Sequence, residues 1–397
     1  MSFQFSLDQI RATDGILNIL LNSDPNLHAI AVLTGSAGTG KTTVVTEILE
    51  QIIKQKPTLD VSLCASTHRA AAVMQDIVGQ PACTGHSLFK LQPSISQYGK
   101  ETLNSSGLCN IPHGSVIIID EASMIGDTFL KAIVGTIKER KLKVLFVGDP
   151  FQLPPPTDRC SIFDGSLSTF TLTQVHRQAG GNPILEKANE FREYIEGIRE
   201  HEPVLVTEIN AKGEGIHVLP HSSFISKFVD KYIGYRPGAE VDIPLCTYTN
   251  ESAVNYNSMI RKAAYFLEDT IKPFYPGERL IANSVVMVGE KIILSNNEIV
   301  YVQEYWNDTY HNIPGYTVKV EGNFSKALNS KIKTVFVPRT KKEADTVLKE
   351  YKDIAKQNKN KSDWVMFYNL KKALADLRPP FAGTTHKAQG GTFPAVF

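Results

Sequence analysis

No apolar run in this sequence approaches the roughly 20 residues that cross a bilayer, so a membrane-embedded protein is not expected. Cysteine is scarce. The five present (Cys64, Cys83, Cys109, Cys160 and Cys246) are odd in number, widely spaced and never in a C-x2-C pair. Neither a disulfide framework nor a structural zinc site is therefore expected, and this usage fits a reducing, cytoplasmic compartment. The first residues, MSFQFSLDQIRATDG, place an aspartate early and lack the basic segment of a signal peptide. Charge of one sign is missing as well: 42 basic residues stand against 41 acidic ones, and a net charge of +1 argues against passive coating of nucleic acid. It leaves room for a local groove. Residues 331–372 hold twelve Lys or Arg against five Asp or Glu, which a solvated helical face explains as well as a DNA contact does. Internal repeats and low-complexity tracts are absent. At 397 residues the chain exceeds the size at which one core usually stops growing, so about two to four domains are expected.

What is present begins with residues 35–42, GSAGTGKT, which fit G-x-x-x-x-G-K-[ST], the loop that wraps a nucleotide's phosphates. The preceding AIAVL (29–33) reads as a fully buried parallel strand, and residues 43–52 have apolar spacing suited to a helix. Glycines let the backbone approach the phosphates, and the amides at the helix start face the negative charge. Gly35, Ser36, Ala37, Gly38, Thr39, Gly40, Lys41, Thr42 and Thr43 are the expected nucleotide-binding set. Lys41 would reach the β- and γ-phosphates of ATP, and Thr42 would ligate Mg2+. A tight strand-to-helix turn with a solvated lysine is the plain alternative.

Further apolar runs follow at 61–65, 116–119 and 144–147, ending in Ser66-Thr67-His68, Asp120-Glu121 and Gly148-Asp149-Pro150. Polar residues gathered at the carboxyl ends of successive strands are the pattern of an open α/β sheet with its site at that edge. Asp120 would hold the metal, and Glu121 would orient and deprotonate the attacking water. Gln152, in GDPFQLPP, can donate to the γ-phosphate and report its presence; a surface loop amide is the alternative. Arg177, in LTQVHR, fits an arginine finger or an ordinary surface arginine. Gln9 can read an adenine edge or lie exposed on a helix. Thr67-His68, Thr84-Gly85-His86-Ser87 and Thr384-Thr385-His386-Lys387 carry hydroxyls and imidazoles at strand ends, neutral donors for phosphate and sugar contacts, although His and Thr also cap helices and pack in cores. Residues 89–112 interrupt the pattern as an inserted hairpin or long loop, 274–335 suggest a small β domain, and 381–397 return to α/β style.

In this order, GSAGTGKT, CASTHRAAAVM (64–74), TGHSLF (84–89), IIIDEAS (117–123), VGDPFQLPP (147–155), LTQVHR (172–177), CTYTNESAVNYNSMIRK (246–262), NNEIVYV (296–302) and TTHKAQGGTF (384–393) resemble the motifs of superfamily 1 helicases. The kind is 5′–3′ and RecD-like, nearest to the Dda type of T-even phages. The resemblance covers nearly the whole chain. It implies ATP-driven 5′–3′ translocation on single-stranded DNA with unwinding of duplex, in replication, recombination or repair, and the host cytoplasm for a phage protein. It implies an α/β fold of two RecA-like P-loop motor domains with ATP between them. These would span residues 1–200, with a hairpin insertion at about 89–112, and 201–397, with an SH3-like β and helical insertion at about 274–378. The hairpin would act as a strand-separating pin, with Pro93 and Tyr98 as candidates. Gln9 would contact adenine, with Gln389 and Gly390 near the nucleotide. Thr67, His68, Thr84, His86, Thr249, Asn250, Thr385 and His386 would touch DNA. Partners implied are ATP, Mg2+, single-stranded and forked DNA and replication or recombination proteins, for a monomeric motor. The family continues past motif V with Y-V-x-x-[ST]-R, and no such motif is found here. The sequence is therefore expected to be a fragment of a longer product. Two rivals stand beside this reading: an ATP-dependent DNA-binding or recombination factor that does not unwind, and a non-catalytic remnant that binds nucleotide and DNA. RNA is a further possible strand.

Overall fold

The computed structural model describes residues 5–24, 26–95, 101–105, 109–155, 158–174, 181–235, 238–241, 244–265, 272–289, 291–322, 332–389, 391 and 393–397. The chain divides into two compact units, one of Met1–Ser94 and Leu103–Val218, the other of Ile95–Thr102 and Leu219–Phe397. Through residue 218 the elements are α1 (Leu7–Asn22), β1 (Ala29–Gly35), α2 (Lys41–Gln55), β2 (Val61–Ala65), α3 (His68–Val78), β3 (Ala82–Thr84), α4 (Gly85–Leu88), β4 (Leu91–Ile95), β5 (Glu101–Ser105), β6 (Val116–Asp120), α5 (Asp127–Glu139), β7 (Lys143–Gly148), β8 (Ser168–Leu172), α6 (Pro183–Ile195), β9 (Glu208–Ile209) and β10 (Gly215–Ile216).

Six strands form one sheet in the order β3-β2-β6-β7-β1-β8, and every pair in it is parallel. The central strands read as unbroken apolar runs because both faces are covered. Alternate residues go to opposite sides. Ala31, Leu33, Val116, Ile118, Leu145 and Val147 pack with α1 and α2 through Ile16, Leu20, Val44, Ile48 and Ile52. Val32, Ile117, Ile119, Val144 and Phe146 pack on the other face with α5 through Phe129, Ile133 and Ile137. The result is a three-layer α/β sandwich. Its edge strands β3 and β8 are the ones the sequence pattern does not announce, one being only three residues long and the other, STFTL, being polar on its exposed positions. The inserted segment after α4 is a ribbon of β4 with β5. Tyr98 lies outside the described residues, as does the side chain of Pro93.

The remaining elements are α7 (His221–Lys231), β11 (Leu245–Thr247), α8 (Asn250–Ala264), β12 (Arg279–Ala282), β13 (Val286–Val288), β14 (Lys291–Leu294), β15 (Ile299–Tyr310), β16 (Ile313–Gly322), β17 (Ile332–Pro338), α9 (Lys341–Asn358), α10 (Lys361–Ala373), β18 (Leu377–Arg378), β19 (Ala382–Thr384) and α11 (Thr385–Ala388). β11 and β19 pair in parallel against α7 and α8, around Phe228, Tyr232, Ile260 and Phe381. Asn257, buried on α8, acts as a third edge: its amide donates to the Ala382 carbonyl at 2.7 Å and accepts from the Ala382 amide at 2.9 Å. An antiparallel sheet in the order β17-β16-β15-β12-β18 encloses Leu280, Val300, Val302, Val318 and Val320. The β15–β16 turn uses His311 and Asn312, both at positive φ (49° and 61°), which matches the twist of the paired strands. Trp364 and Phe367 of α10 pack near Ala355 of α9, so these aromatics are core.

Candidate nucleotide-binding site and strand-contact edge

The order of the first sheet sets β1 between β7 and β8, with β6 beyond β7, so the loops following these strands meet at one edge. After β1 the chain turns through Gly38 and Gly40 at φ +84° and +83°, a region a side chain resists. Gly40 is the N-cap of α2, which is why that helix starts at Lys41 rather than at Thr43. The Lys41 ammonium folds over the loop and donates to the carbonyls of Gly35 (2.8 Å) and Ser36 (3.0 Å). Thr39, fully buried, closes the turn by donating its hydroxyl to the Ser36 carbonyl at 2.9 Å.

Around this lysine the neighbouring strand ends gather three carboxylates. Burial pulls Lys41 below its ordinary pKa, while Asp149, Asp120 and Glu121 oppose that shift by their charges. Asp120 is raised by burial, against the hydrogen bond from the Glu121 amide (2.8 Å) and the charge of Lys41. Glu121 is raised by burial and then by Asp120, and its backbone sits in the left-handed region at φ 52°. Such a raised carboxyl is closer to the basicity a general base needs. Asp149 has no role in the sequence reading, yet it stands first among the charges that hold Lys41 protonated. Its carbonyl accepts the amide of Gln152 at 3.1 Å, so it also shapes the turn that carries this glutamine.

The N-terminal helix is tied into the same edge. Gln9 is fully buried: its Oε1 accepts the Ser6 amide (3.0 Å) in a capping box, and its Nε2 donates to the Thr39 carbonyl (3.0 Å). Neighbouring Asp8 accepts the amides of Thr173 (2.8 Å) and Gln174 (3.1 Å), just past β8. Burial would raise the Asp8 carboxyl, but hydrogen bonds from the Ser6 hydroxyl and these amides hold it down at about 2. The start of LTQVHR is thereby anchored. Arg177 and Gly390 lie outside the described residues, as does the side chain of His68.

Three of the strand-end threonines are helix caps, whereas Thr384 makes no side-chain cap. Thr67 Oγ1 accepts the Ala70 amide (3.1 Å), Thr84 Oγ1 the Ser87 amide (3.2 Å), and Thr249 Oγ1 the Ser252 amide (3.1 Å). A helix that begins directly after a parallel strand needs such an acceptor, so threonine there has a structural cause whether or not a strand of nucleic acid binds. The His86 ring packs on Phe129 with centroids 5.1 Å apart. In the second unit, Thr385 donates to the Thr247 carbonyl (3.3 Å), placing TTHKAQ beside the TYTN turn. Arg378 joins them: it donates to Asn250 Oδ1 (3.2 Å) and is held by Asp376 (2.6 Å). Lys387 hydrogen-bonds Asn283 and is pushed down to about 8 by burial and by Arg378. His386 and Gln389 flank it in and just after α11. Tyr248 is 96% exposed. Arg378 and Tyr248, like Asp8 and Asp149 of the first unit, were not singled out from sequence, whereas Lys387 stood in the strand-end segment 384–387. Only the GDP of VGDPFQLPP and the strand-end position of TYTN hinted at any of them.

Lys41 holds the loop carbonyls, and Thr42 and Asp120 carry hard oxygen donors of the kind that would suit Mg2+ beside a nucleotide. Among the described residues no group of three or more His, Cys, Asp or Glu stands together as a metal site. No helix among the described residues is long and apolar enough to cross a membrane.

A parallel sheet whose first strand opens through a glycine loop into a lysine-bearing helix, with an Asp-Glu pair on a neighbouring strand, defines an α/β P-loop NTPase-like fold. A family model described as an AAA domain matches residues 21–219, half of the chain, and the chain belongs to that family. The ATP-dependent RecD2 DNA helicase of Deinococcus radiodurans is 27% identical over 297 residues, 74% of this chain and 37% of that protein. The ATP-dependent DNA helicase dda of Enterobacteria phage T4 is 24% identical over 411 residues, 96% of this chain and 90% of that one. The crystal structure of Pif1 helicase from Candida albicans aligns with 99% of this chain and 88% of its own at 16% identity, with a TM-score of 0.43, too loose to carry weight. The chain is thus a superfamily 1/AAA+ helicase-type domain related to the RecD- and Dda-like proteins, and it spans little more than a third of the length of RecD2.

Proposed function

We propose that this chain is the ATP-dependent motor of a DNA helicase that moves 5′–3′ on single-stranded DNA and unwinds duplex. The phage helicase matches along nearly all of the chain, which favours the Dda type within the family. The observation that carries the reading is the packing of Lys41 over the Gly35 and Ser36 carbonyls, in charge range of Asp120, Glu121 and Asp149.

In this reading Lys41 leaves its carbonyls for the phosphates, and Gly35 to Thr43 supply the loop amides. Thr42 and Asp120 hold Mg2+, Glu121 accepts a proton from the attacking water, and Gln152 positions that water. Arg177 neutralises charge at the phosphates, Gln9 keeps the loop in shape beside the nucleotide, and Gln389 and Gly390 answer to it. When bound, Mg·ATP supplies a scissile phosphoanhydride whose charge the metal spreads. The two units are read as RecA-like motor domains, with an SH3-like insertion in the second. Single-stranded DNA runs over the carboxyl edges, against Thr67, His68, Thr84 and His86 of the first unit and Thr249, Asn250, Thr385 and His386 of the second. Arg378 and Lys387 add charge for the backbone, and Tyr248 offers a ring on which a base stacks.

The test is ATP hydrolysis with and without single-stranded DNA, followed by displacement of a labelled strand from a forked duplex, for the wild type and K41A. DNA-stimulated turnover and displacement that both vanish in K41A are expected. Stimulated turnover without displacement would leave an ATP-dependent translocase or binding factor. No turnover in the wild type would overturn the motor reading.

A further inference from the structure

No motif singles out Arg192. It lies on α6, one turn before that helix ends, and its guanidinium makes three kinds of contact. Its Nη1 donates to both carboxylate oxygens of Asp149, at 3.2 and 3.1 Å. Its Nε donates to Glu196 at 2.9 Å, one turn along the same helix. Its planar face lies over the Phe151 ring, 4.6 Å from the centroid. Asp149 is nearly buried, with only 6% of its side chain exposed. It holds the turn in two more ways: Oδ1 accepts the Phe151 amide at 3.1 Å, and its carbonyl accepts the Gln152 amide at 3.1 Å.

A buried carboxylate that loses its cation is costly and turns toward any other one within reach. Arg192 therefore does two things at once. It matches the charge of Asp149, and by stacking it fixes Phe151, the residue directly before Gln152. A lysine could match the charge but has no planar face for the ring. We propose that Arg192 is a positioning residue for the nucleotide site: through Asp149 and Phe151 it holds the turn that presents Gln152. The inference rests on the proposed ATPase reading for its kinetic consequence, and on the contacts alone for its structural one.

A double-mutant cycle with Gln152 tests it. R192Q is expected to lower kcat of DNA-stimulated hydrolysis about 10- to 100-fold, with KM for ATP changed less than threefold. It is also expected to shrink the preference for a non-hydrolysable triphosphate over ADP, with ADP affinity unchanged. In a Q152A background R192Q should add less than a twofold further loss, because the residue it serves is gone. R192K should recover the triphosphate preference only in part. R192K, which keeps a cation beside Asp149 but has no planar face for Phe151, serves if R192Q does not fold. Amide hydrogen exchange over residues 148–155 reads the turn directly, and protection should fall at least tenfold in R192Q. Equal losses from R192Q with and without Gln152 would overturn the proposal, as would wild-type kcat or unchanged protection in R192Q. A wild type that hydrolyses no ATP while R192Q loses protection would sink the motor reading and leave the positioning role standing.

Discussion

Replacing Gln9 by alanine separates two roles for a residue that the family resemblance places at the adenine. Its amide is already engaged at both ends, by the Ser6 amide and the Thr39 carbonyl, and the side chain is fully buried. Each hydrogen bond is worth about 1 kcal/mol net, and truncation also empties buried volume at roughly 0.8 kcal/mol per methylene. The capping box on α1 loses its reciprocal half. Together Q9A is expected to cost about 3 kcal/mol of the first unit's stability. For a domain of its size that lowers Tm by roughly 6–12 °C. Both tryptophans, Trp306 and Trp364, belong to the second unit, so the readouts are far-UV circular dichroism in urea and hydrogen exchange over α1 and residues 35–43. Faster exchange at both segments is expected, because one side chain links them. KM should rise for ATP and GTP alike, since the loop is what loosens. An unchanged urea midpoint together with a lost preference for ATP over GTP would refute the reasoning and give the amide to the base.

G40A forces a non-glycine residue to φ +83° and sets a methyl 2.4 Å from Gln9 Nε2, whereas G79A meets φ +73° in open space. Both should lose about 1–2 kcal/mol from backbone strain, and G40A alone should weaken binding of a fluorescent nucleotide; equal effects on binding would count against the Gln9–loop contact. E121Q should lower kcat about 10²–10⁴-fold with KM little changed. Because burial and Asp120 raise the Glu121 pKa, wild-type activity should fall on the acid side at a pH above the ordinary carboxylate value, and that limb should be missing from the residual activity of E121Q. Lys387, held at about 8, carries its charge at pH 7 and loses most of it by pH 9, so single-strand affinity should decline across that range in the wild type and not in K387M. The sign for stability is opposite: the unfolded chain binds the extra proton between about pH 8 and 10.5, so this group's contribution rises with pH there, and urea midpoints of K387M should lack that rise. Y248A should weaken single-strand binding by about 1–3 kcal/mol while Y248F stays near wild type; equal affinities for all three would remove the base from this ring.

Which parts were legible in the sequence follows from how local their causes are. Unbroken apolar runs at 29–33, 116–119 and 144–147 announced the buried strands, because burial on both faces leaves no polar position. GSAGTGKT announced the loop, because left-handed turns at 38 and 40 call for glycine. Asp120-Glu121 was legible as a strand-end pair next to such a loop. The edge strand Ser168–Leu172 was not legible, since an exposed edge keeps its polar residues and resembles a loop.

What only the tertiary structure decided is which strand ends meet. The order β3-β2-β6-β7-β1-β8 brings residues 41, 120 and 149 to one place from three separate segments, and no spacing along the chain encodes that order. It also decided what polar side chains do once there. Thr67, Thr84 and Thr249 cap helices, Gln9 donates to the Thr39 carbonyl of the loop, and Arg192 reaches back from α6 to Asp149 across 43 residues of sequence. A hydrogen bond or an ion pair is set by distance in space, and the sequence fixes such distances only within a turn or a strand; beyond that, the packing of the apolar faces chooses the partners.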